Sequence, residues 1–147
     1  MPPPNSGYLN TMGPGMPARL RAAMLEAGGF NIDAMWGPAG GPRWQRDNPT
    51  EFAGLLHAHG TGLWISTGNG SPGPHDAVAG PEDAHHLTNS EVLEAISLSS
   101  TRVFQARWDG FGPGNAVFDY RPAGVHNRPY WTDEVYKMLP HMNMNIG

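Results

Sequence analysis

An α/β fold, with parallel strands flanked by helices, is the class this sequence predicts, and three stretches carry the prediction. Leu63-Trp64-Ile65-Ser66-Thr67 is a short apolar run stopped by Gly68-Asn69-Gly70, which reads as a buried strand closed by a turn. Thr88-Asn89-Ser90-Glu91 has the capping-box pattern, with Thr88 accepting from the Glu91 amide while the Glu91 side chain reaches back, so a helix is expected to begin there. Arg102-Val103-Phe104-Gln105-Ala106-Arg107-Trp108 reads as the next strand.

The remaining elements follow in chain order. Met1 to Asn10 reads as an irregular lead-in. Pro17 at a helix start, the apolar series Met16, Leu20, Ala23, Met24 and Ala27, and Gly28-Gly29 as a stop predict an amphipathic helix. From Asn31 to Pro49 the tryptophans stand among Gly and Pro, the pattern of a structured loop in which Trp36 and Trp44 either pin the loop or meet a ligand. A helix is expected over Thr50 to His59. Its His57 and His59 form an H-x-H pair that would suit a metal on a strand but diverges on a helix. Ser71 to Leu87 is polar and rich in Gly, Pro and His, and reads as a solvated, mobile excursion without metal-ligand spacing. In the capped helix that follows, Leu87, Val92, Leu93, Ile96 and Leu98 supply a buried side that anchors Glu94. A final helix is expected from near Pro129, with Trp131, Val135, Met138 and Leu139 on one face, ending at Pro140 and leaving Met142 to Gly147 frayed.

Composition bounds the function classes. A chain of 147 residues can bury one core, which 20 Gly, 15 Pro and a 39% hydrophobic content keep modest. A net charge of -4 without a Lys/Arg run gives no surface for nucleic acid. No stretch reaches the roughly 18 apolar residues of a membrane span, and Met1-Pro2-Pro3-Pro4 lacks the basic and apolar regions of an export signal. Zero cysteines exclude a disulfide framework. Neither a metal nor a cofactor is called for.

The chemistry-bearing candidates are Glu94 and His126. The run Asn115-Ala116-Val117-Phe118-Asp119-Tyr120 gives way to Arg121-Pro122-Ala123-Gly124-Val125, a Pro/Gly loop that presents the imidazole of His126. In a Ser-His-acid arrangement the imidazole takes the hydroxyl proton and returns it to the leaving group, while the acid fixes its tautomer and stabilises the imidazolium. Taken singly, a loop histidine is more often solvated than catalytic, and a helix glutamate is more often surface charge. Order in the chain changes that balance, because the α/β-hydrolase sequence of nucleophile, acid and histidine places the last two after successive strands of a parallel sheet. Glu94 follows the first expected strand and His126 the second.

With these residues in place the chain resembles the mycobacterial antigen 85 group of mycolyltransferases, within the α/β-hydrolase esterases. The resemblance runs through Met35-Trp36-Gly37-Pro38, Trp44-Gln45-Arg46-Asp47-Asn48-Pro49, Leu63-Trp64 to Gly68-Asn69-Gly70, Glu91-Val92-Leu93-Glu94, Asn115-Ala116-Val117-Phe118, Gly124-Val125-His126 and Tyr130-Trp131. It implies that Glu94 and His126 are the catalytic acid and base, and that the substrates are an acyl ester and a sugar alcohol or water. It also implies a secreted or cell-envelope location for the parent protein. The family's cysteine before the Gly-Asn-Gly turn is replaced by Thr67, a change expected to leave the triad alone.

The resemblance also implies what to look for elsewhere. The family's nucleophile stands on a G-x-S-x-G-like elbow well before the tryptophan-rich segment, and neither Ser66 nor Ser71 has that setting. Residues 1–147 are therefore expected to be a single partial α/β-hydrolase domain, the C-terminal half, without the nucleophile-bearing half. A sheet cut through its middle exposes an unpaired edge, so self-association or pairing with an N-terminal half is expected. For the acceptor pocket the resemblance points to Ser99, Asn127 and Arg128, the last two standing where the family has a serine and a tryptophan. The competing functions are a non-catalytic relative that binds carbohydrate or matrix proteins, against which retention of both Glu94 and His126 argues, and an inactive truncated gene product.

Overall fold

Parallel strands cannot be joined by a tight turn, so the segment that crosses from one to the next decides where the connecting side chains lie. In this computed structural model the described residues are 49–146, together with residues 29, 31, 34, 37 and 41–46. The chain divides into two units, residues 1–55 and 56–147. In the first, α1 (Pro42–Arg46) is a single helical turn inside the stretch expected to be loop, and Phe52 N donates to Pro49 O (3.1 Å) in a turn; α2 (Ala53–Ala58) has its first three residues in this unit and its last three in the second. The expected lead-in, the helix from Met16 to Ala27 and Trp36 lie outside the described residues.

In the second unit β1 (Leu63–Thr67) pairs in parallel with β2 (Ala116–Tyr120), in register from Leu63 opposite Ala116 to Thr67 opposite Tyr120. Bonds from Leu63 N to Asn115 O and from Arg121 N to Thr67 O, each 2.9 Å, extend the ladder at both ends. The crossover is α3 (Pro81–Asp109), and α4 (Arg128–Ile146) closes the chain. No described helix is long and apolar enough to cross a membrane.

Helix α3 corrects two expectations. It begins at Pro81, not Thr88: proline at the first helical turn costs no hydrogen bond, and Glu82 and Asp83 suit the positive end of the helix dipole. Thr88 lies about two turns inside, where its hydroxyl donates back to Ala84 O at 3.0 Å. The stretch Arg102 to Trp108 is the last part of this helix and not a strand. Ile96, Ser100, Phe104 and Trp108 recur every fourth residue on the buried side, and no Gly or Pro interrupts the period before Gly110. Phe104 stacks on Trp108 (centroids 6.1 Å apart) and reaches Phe118 of β2 at 6.2 Å, which fixes the helix on the sheet. Burial of Phe104 alone contributes roughly 1.5–3 kcal/mol.

Helix α4 also departs from expectation. Its inward line is Tyr130 and Glu134, while Trp131, Val135 and Leu139 are exposed. It continues through Pro140 to Ile146 instead of ending at the proline, which forgoes one main-chain hydrogen bond within an otherwise regular helix. The stretch Ser71 to Leu87, expected to be a solvated, mobile excursion, splits in two: residues 81–87 open α3, while 71–80 is mostly exposed, as a solvated excursion would be, and is also held by hydrogen bonds. Gly124 N donates to Ser71 O (2.7 Å), the Tyr130 hydroxyl donates to Asp76 (2.5 Å), and His75 meets Asp133 of α4 at 2.9 Å.

The turn after β1 leaves no room for a side chain at either of its glycines. A Cβ at Gly68 would collide with the carbonyl of Gly124, and Gly70, at φ +83°, would bring one to 2.9 Å from Glu91 O on α3. Gly68→Ala is therefore expected to lower stability by about 1–3 kcal/mol in urea titrations, whereas Gly80→Ala, with open space around the added methyl, should change it far less.

Candidate active site

The site is assembled where the C-terminal end of β1, the middle of α3 and the loop after β2 converge. Glu94 faces inward because it stands seven residues, or two turns, before Thr101 on the buried side of α3, and it is only 3% exposed. A carboxylate so placed needs donors, and the last residue of β1 and the first of the turn after it supply one each. The Gly68 amide donates to Oε1 at 2.5 Å and the Thr67 hydroxyl at 3.1 Å. Thr67 therefore touches the candidate acid directly, although the replacement at that position was expected to leave the triad alone.

The other carboxylate oxygen meets His126, whose Nδ1 lies 3.0 Å from Glu94 Oε2. Opposite an ionised carboxylate the Nδ1–H is the donor. The imidazole is delivered by the loop from Arg121 to Asn127. Val125 anchors that loop at 1% exposure, His126 N donates to Ser90 O on α3 at 3.1 Å, and the edge of Trp131 meets the ring with centroids 4.9 Å apart. Among the described residues no hydroxyl is hydrogen-bonded to Nε2, which is the ring position that a nucleophile would address.

Burial pushes the Glu94 carboxyl up, but the His126 hydrogen bond, the Gly68 amide, the His126 charge and the Thr67 hydroxyl outweigh it and hold the group below its ordinary value. The carboxyl thus stays ionised as the acceptor that the imidazole requires. Behind it lies a charged row that the sequence reading did not single out. Arg121 Nη2 stands 3.6 Å from Glu94 Oε1, Arg121 Nη1 stands 3.9 Å from Glu134 Oε1, and Lys137 bonds Glu134 at 2.7 Å and Asp119 at 3.2 Å. Only the spacing of Tyr130 and Glu134 on one helical line hinted that α4 turns a polar face inward.

The candidates for the acceptor pocket are spread apart. Asn127, next to His126, donates to Asp76 Oδ1 at 3.4 Å and so belongs to the contact between the 71–80 segment and α4. Arg128 is exposed at the first position of α4. Ser99 is exposed and lies five residues beyond Glu94, about 140° round the helix and about 7.5 Å along it, so it does not adjoin the Glu94–His126 pair. The histidine pair of α2 also separates: His57 is held by Gly112 O at 3.1 Å and by the edge of Trp108, while His59 is exposed just past the helix. No cluster of three or more metal-ligating side chains occurs among the described residues.

Comparison with known proteins bears on this arrangement. Residues 5–142 match the Esterase family, described as "Putative esterase". The diacylglycerol acyltransferase/mycolyltransferase Ag85C of Mycobacterium leprae is 33% identical over 142 residues, which is 97% of this chain and 40% of that protein. The corresponding Ag85B of Mycobacterium avium is 36% identical over 131 residues, 89% of this chain and 37% of that protein. The chain thus spans about 40% of the length of these relatives. The crystal structure of Mycobacterium tuberculosis MPT51 (FbpC1) superimposes with a TM-score of 0.64 at 20% identity, covering 90% of this chain and 45% of that one, which shows a shared α/β-hydrolase fold.

Because the folded-state carboxyl of Glu94 lies below its unfolded value, its stabilising contribution is present above the ordinary carboxylate range and is lost as pH falls through the folded value. Glu94→Gln should therefore cost about 1–3 kcal/mol at neutral pH and flatten the acid side of the stability profile. Denaturant midpoints measured from neutral to acid pH check this, and parallel profiles for the two proteins would contradict it.

Proposed function

Because the chain belongs to the esterase family together with the antigen 85 acyltransferases, we propose that it is the acid-and-base portion of a serine acyltransferase or esterase of the mycolyltransferase type. The observation that carries this reading is the 3.0 Å contact of His126 Nδ1 with a buried carboxylate that is itself held by donors from Thr67 and Gly68. A binding module has no use for an imidazole oriented by a desolvated acid.

The chemistry follows from that geometry. The nucleophile is a serine supplied by a segment corresponding to the part of the relatives that the chain does not span. With the Nδ1 proton committed to Glu94, the Nε2 lone pair of His126 accepts the serine proton as the hydroxyl attacks the acyl ester. The imidazolium so formed is stabilised by Glu94 and returns the proton to the departing alcohol. A sugar hydroxyl or water then gives its proton to His126 as it attacks the ester formed on the serine, the acyl group passes to it, and the imidazolium returns the proton to the serine oxygen. The donor is an acyl ester of the mycolyl class, in keeping with the relatives' names. Asn127 and Arg128, directly after the histidine, are the residues of this chain nearest in sequence to the acceptor. We assign the parent protein to the cell envelope or the medium outside it, on family membership.

The test is hydrolysis of a short-chain p-nitrophenyl ester by the 147-residue chain mixed with the N-terminal portion of an antigen 85 relative. Turnover is expected only in the mixture. It should fall by about 10²–10⁴-fold in both His126→Ala and Glu94→Gln. Turnover by the mixture that is indifferent to both substitutions would refute the assignment.

A further inference from the structure

Arg121 is the residue whose placement the reaction as described leaves unused. Its side chain is 10% exposed, enclosed by two carboxylates and an aromatic face. The guanidinium lies over the Tyr130 ring, 4.8 Å from its centroid, with Nη2 toward Glu94 and Nη1 toward Glu134. Nε and Nη1 are buried without hydrogen-bond partners among the described residues, as is Oε2 of Glu134. A buried cation with so few hydrogen bonds is costly unless its charge is compensated, and at 3.6 and 3.9 Å the two carboxylates compensate it through space.

The side of approach gives this arrangement its meaning. Arg121 reaches Glu94 from Oε1, the oxygen already held by Gly68 and Thr67, and leaves Oε2 to His126. Its main chain reinforces the aim: Arg121 N donates to Thr67 O, so one residue ties the end of β1 to the start of the loop that delivers the imidazole. Glu134 in turn draws the guanidinium toward α4 through Oε1, the same oxygen that accepts from Lys137.

We propose that Arg121 is a positioning residue for the Glu94–His126 pair, a cation shared between Glu94 and Glu134 that fixes the Oε1 side of Glu94 and sets how much of its charge is available to the imidazole. This rests on the reading of Glu94 and His126 as acid and base, but the arrangement can be tested without turnover. The charged groups facing Glu94 are His126 and Arg121 from the loop after β2 and, through Arg121, Glu134 and Lys137 from α4; Asp119 of β2 joins them through Lys137.

The experiment is a ¹³C NMR titration of the Glu94 side-chain carboxyl in the 147-residue chain and in three variants. Arg121→Met removes the cation, so the Glu94 midpoint should move upward. Glu134→Gln removes the competing carboxylate and leaves Arg121 to Glu94 alone, so the midpoint should move downward. Arg121→Lys keeps the charge and should restore the midpoint most of the way. Opposite directions for Arg121→Met and Glu134→Gln are what a shared cation requires. A midpoint that moves upward in both, as general loosening of the site would produce, or that stays fixed in both, overturns the proposal. Failure of the esterase assay beside opposite NMR shifts would sink the catalytic reading and leave the charge-sharing intact.

Discussion

A carboxylate buried to 3% exposure is tolerated only if its charge is answered from several directions, and in this chain the answer to Glu94 comes from every element around it. The end of β1 gives an amide and a hydroxyl, the loop after β2 gives an imidazole and a guanidinium, and α3 carries the group itself. The parallel pairing of β1 and β2 is what brings the first two sources side by side, since Thr67 stands opposite Tyr120 and the next residue of that strand is Arg121. The fold and the site are therefore one problem. The register that completes the sheet also aligns the donors around one side chain.

Much of this was legible in the sequence because it is carried by local signals. The strand over residues 63–67, its Gly-Asn-Gly turn, and a helix bearing Glu94 all follow from short-range pattern, and His126 follows from its Pro/Gly loop and the resemblance to known esterases. Where reading by pattern failed, long-range packing decided. Arg102 to Trp108 has a strand-like mix of β-branched and aromatic residues, but Phe104 and Trp108 continue a four-residue period begun at Ile96, visible only when the helix is taken as one 29-residue element. The capping box at Thr88 was a valid start signal overtaken by an earlier one at Pro81. In α4 the apolar residues suggested the buried face, whereas Tyr130 and Glu134 are turned inward, where Asp76 accepts from Tyr130 and Arg121 and Lys137 lie against Oε1 of Glu134.

Arg121 carried no signal in the linear sequence, and Thr67 was marked only as a replacement expected to leave the triad alone. A threonine at the end of a strand and an arginine before a proline are common, and their roles exist only because Glu94 lies against them in space. Such residues mark the difference between belonging to a family and using its chemistry in a particular way. The family assignment rests on a match across residues 5–142, while the electrostatics of this acid depend on side chains that the family resemblance did not point to.

The role proposed for His126 depends on which ring nitrogen carries its proton. ¹⁵N NMR of the imidazole of His126 at neutral pH, read through its long-range couplings to the ring protons, reports which nitrogen carries hydrogen. Of the singly protonated ring, the form with hydrogen at Nδ1 and an acceptor Nε2 is the predicted result, and Glu94→Gln should weaken that preference. A ring protonated mainly at Nε2, or one averaging freely between the two forms, would contradict the claim that the buried carboxylate orients the histidine for catalysis.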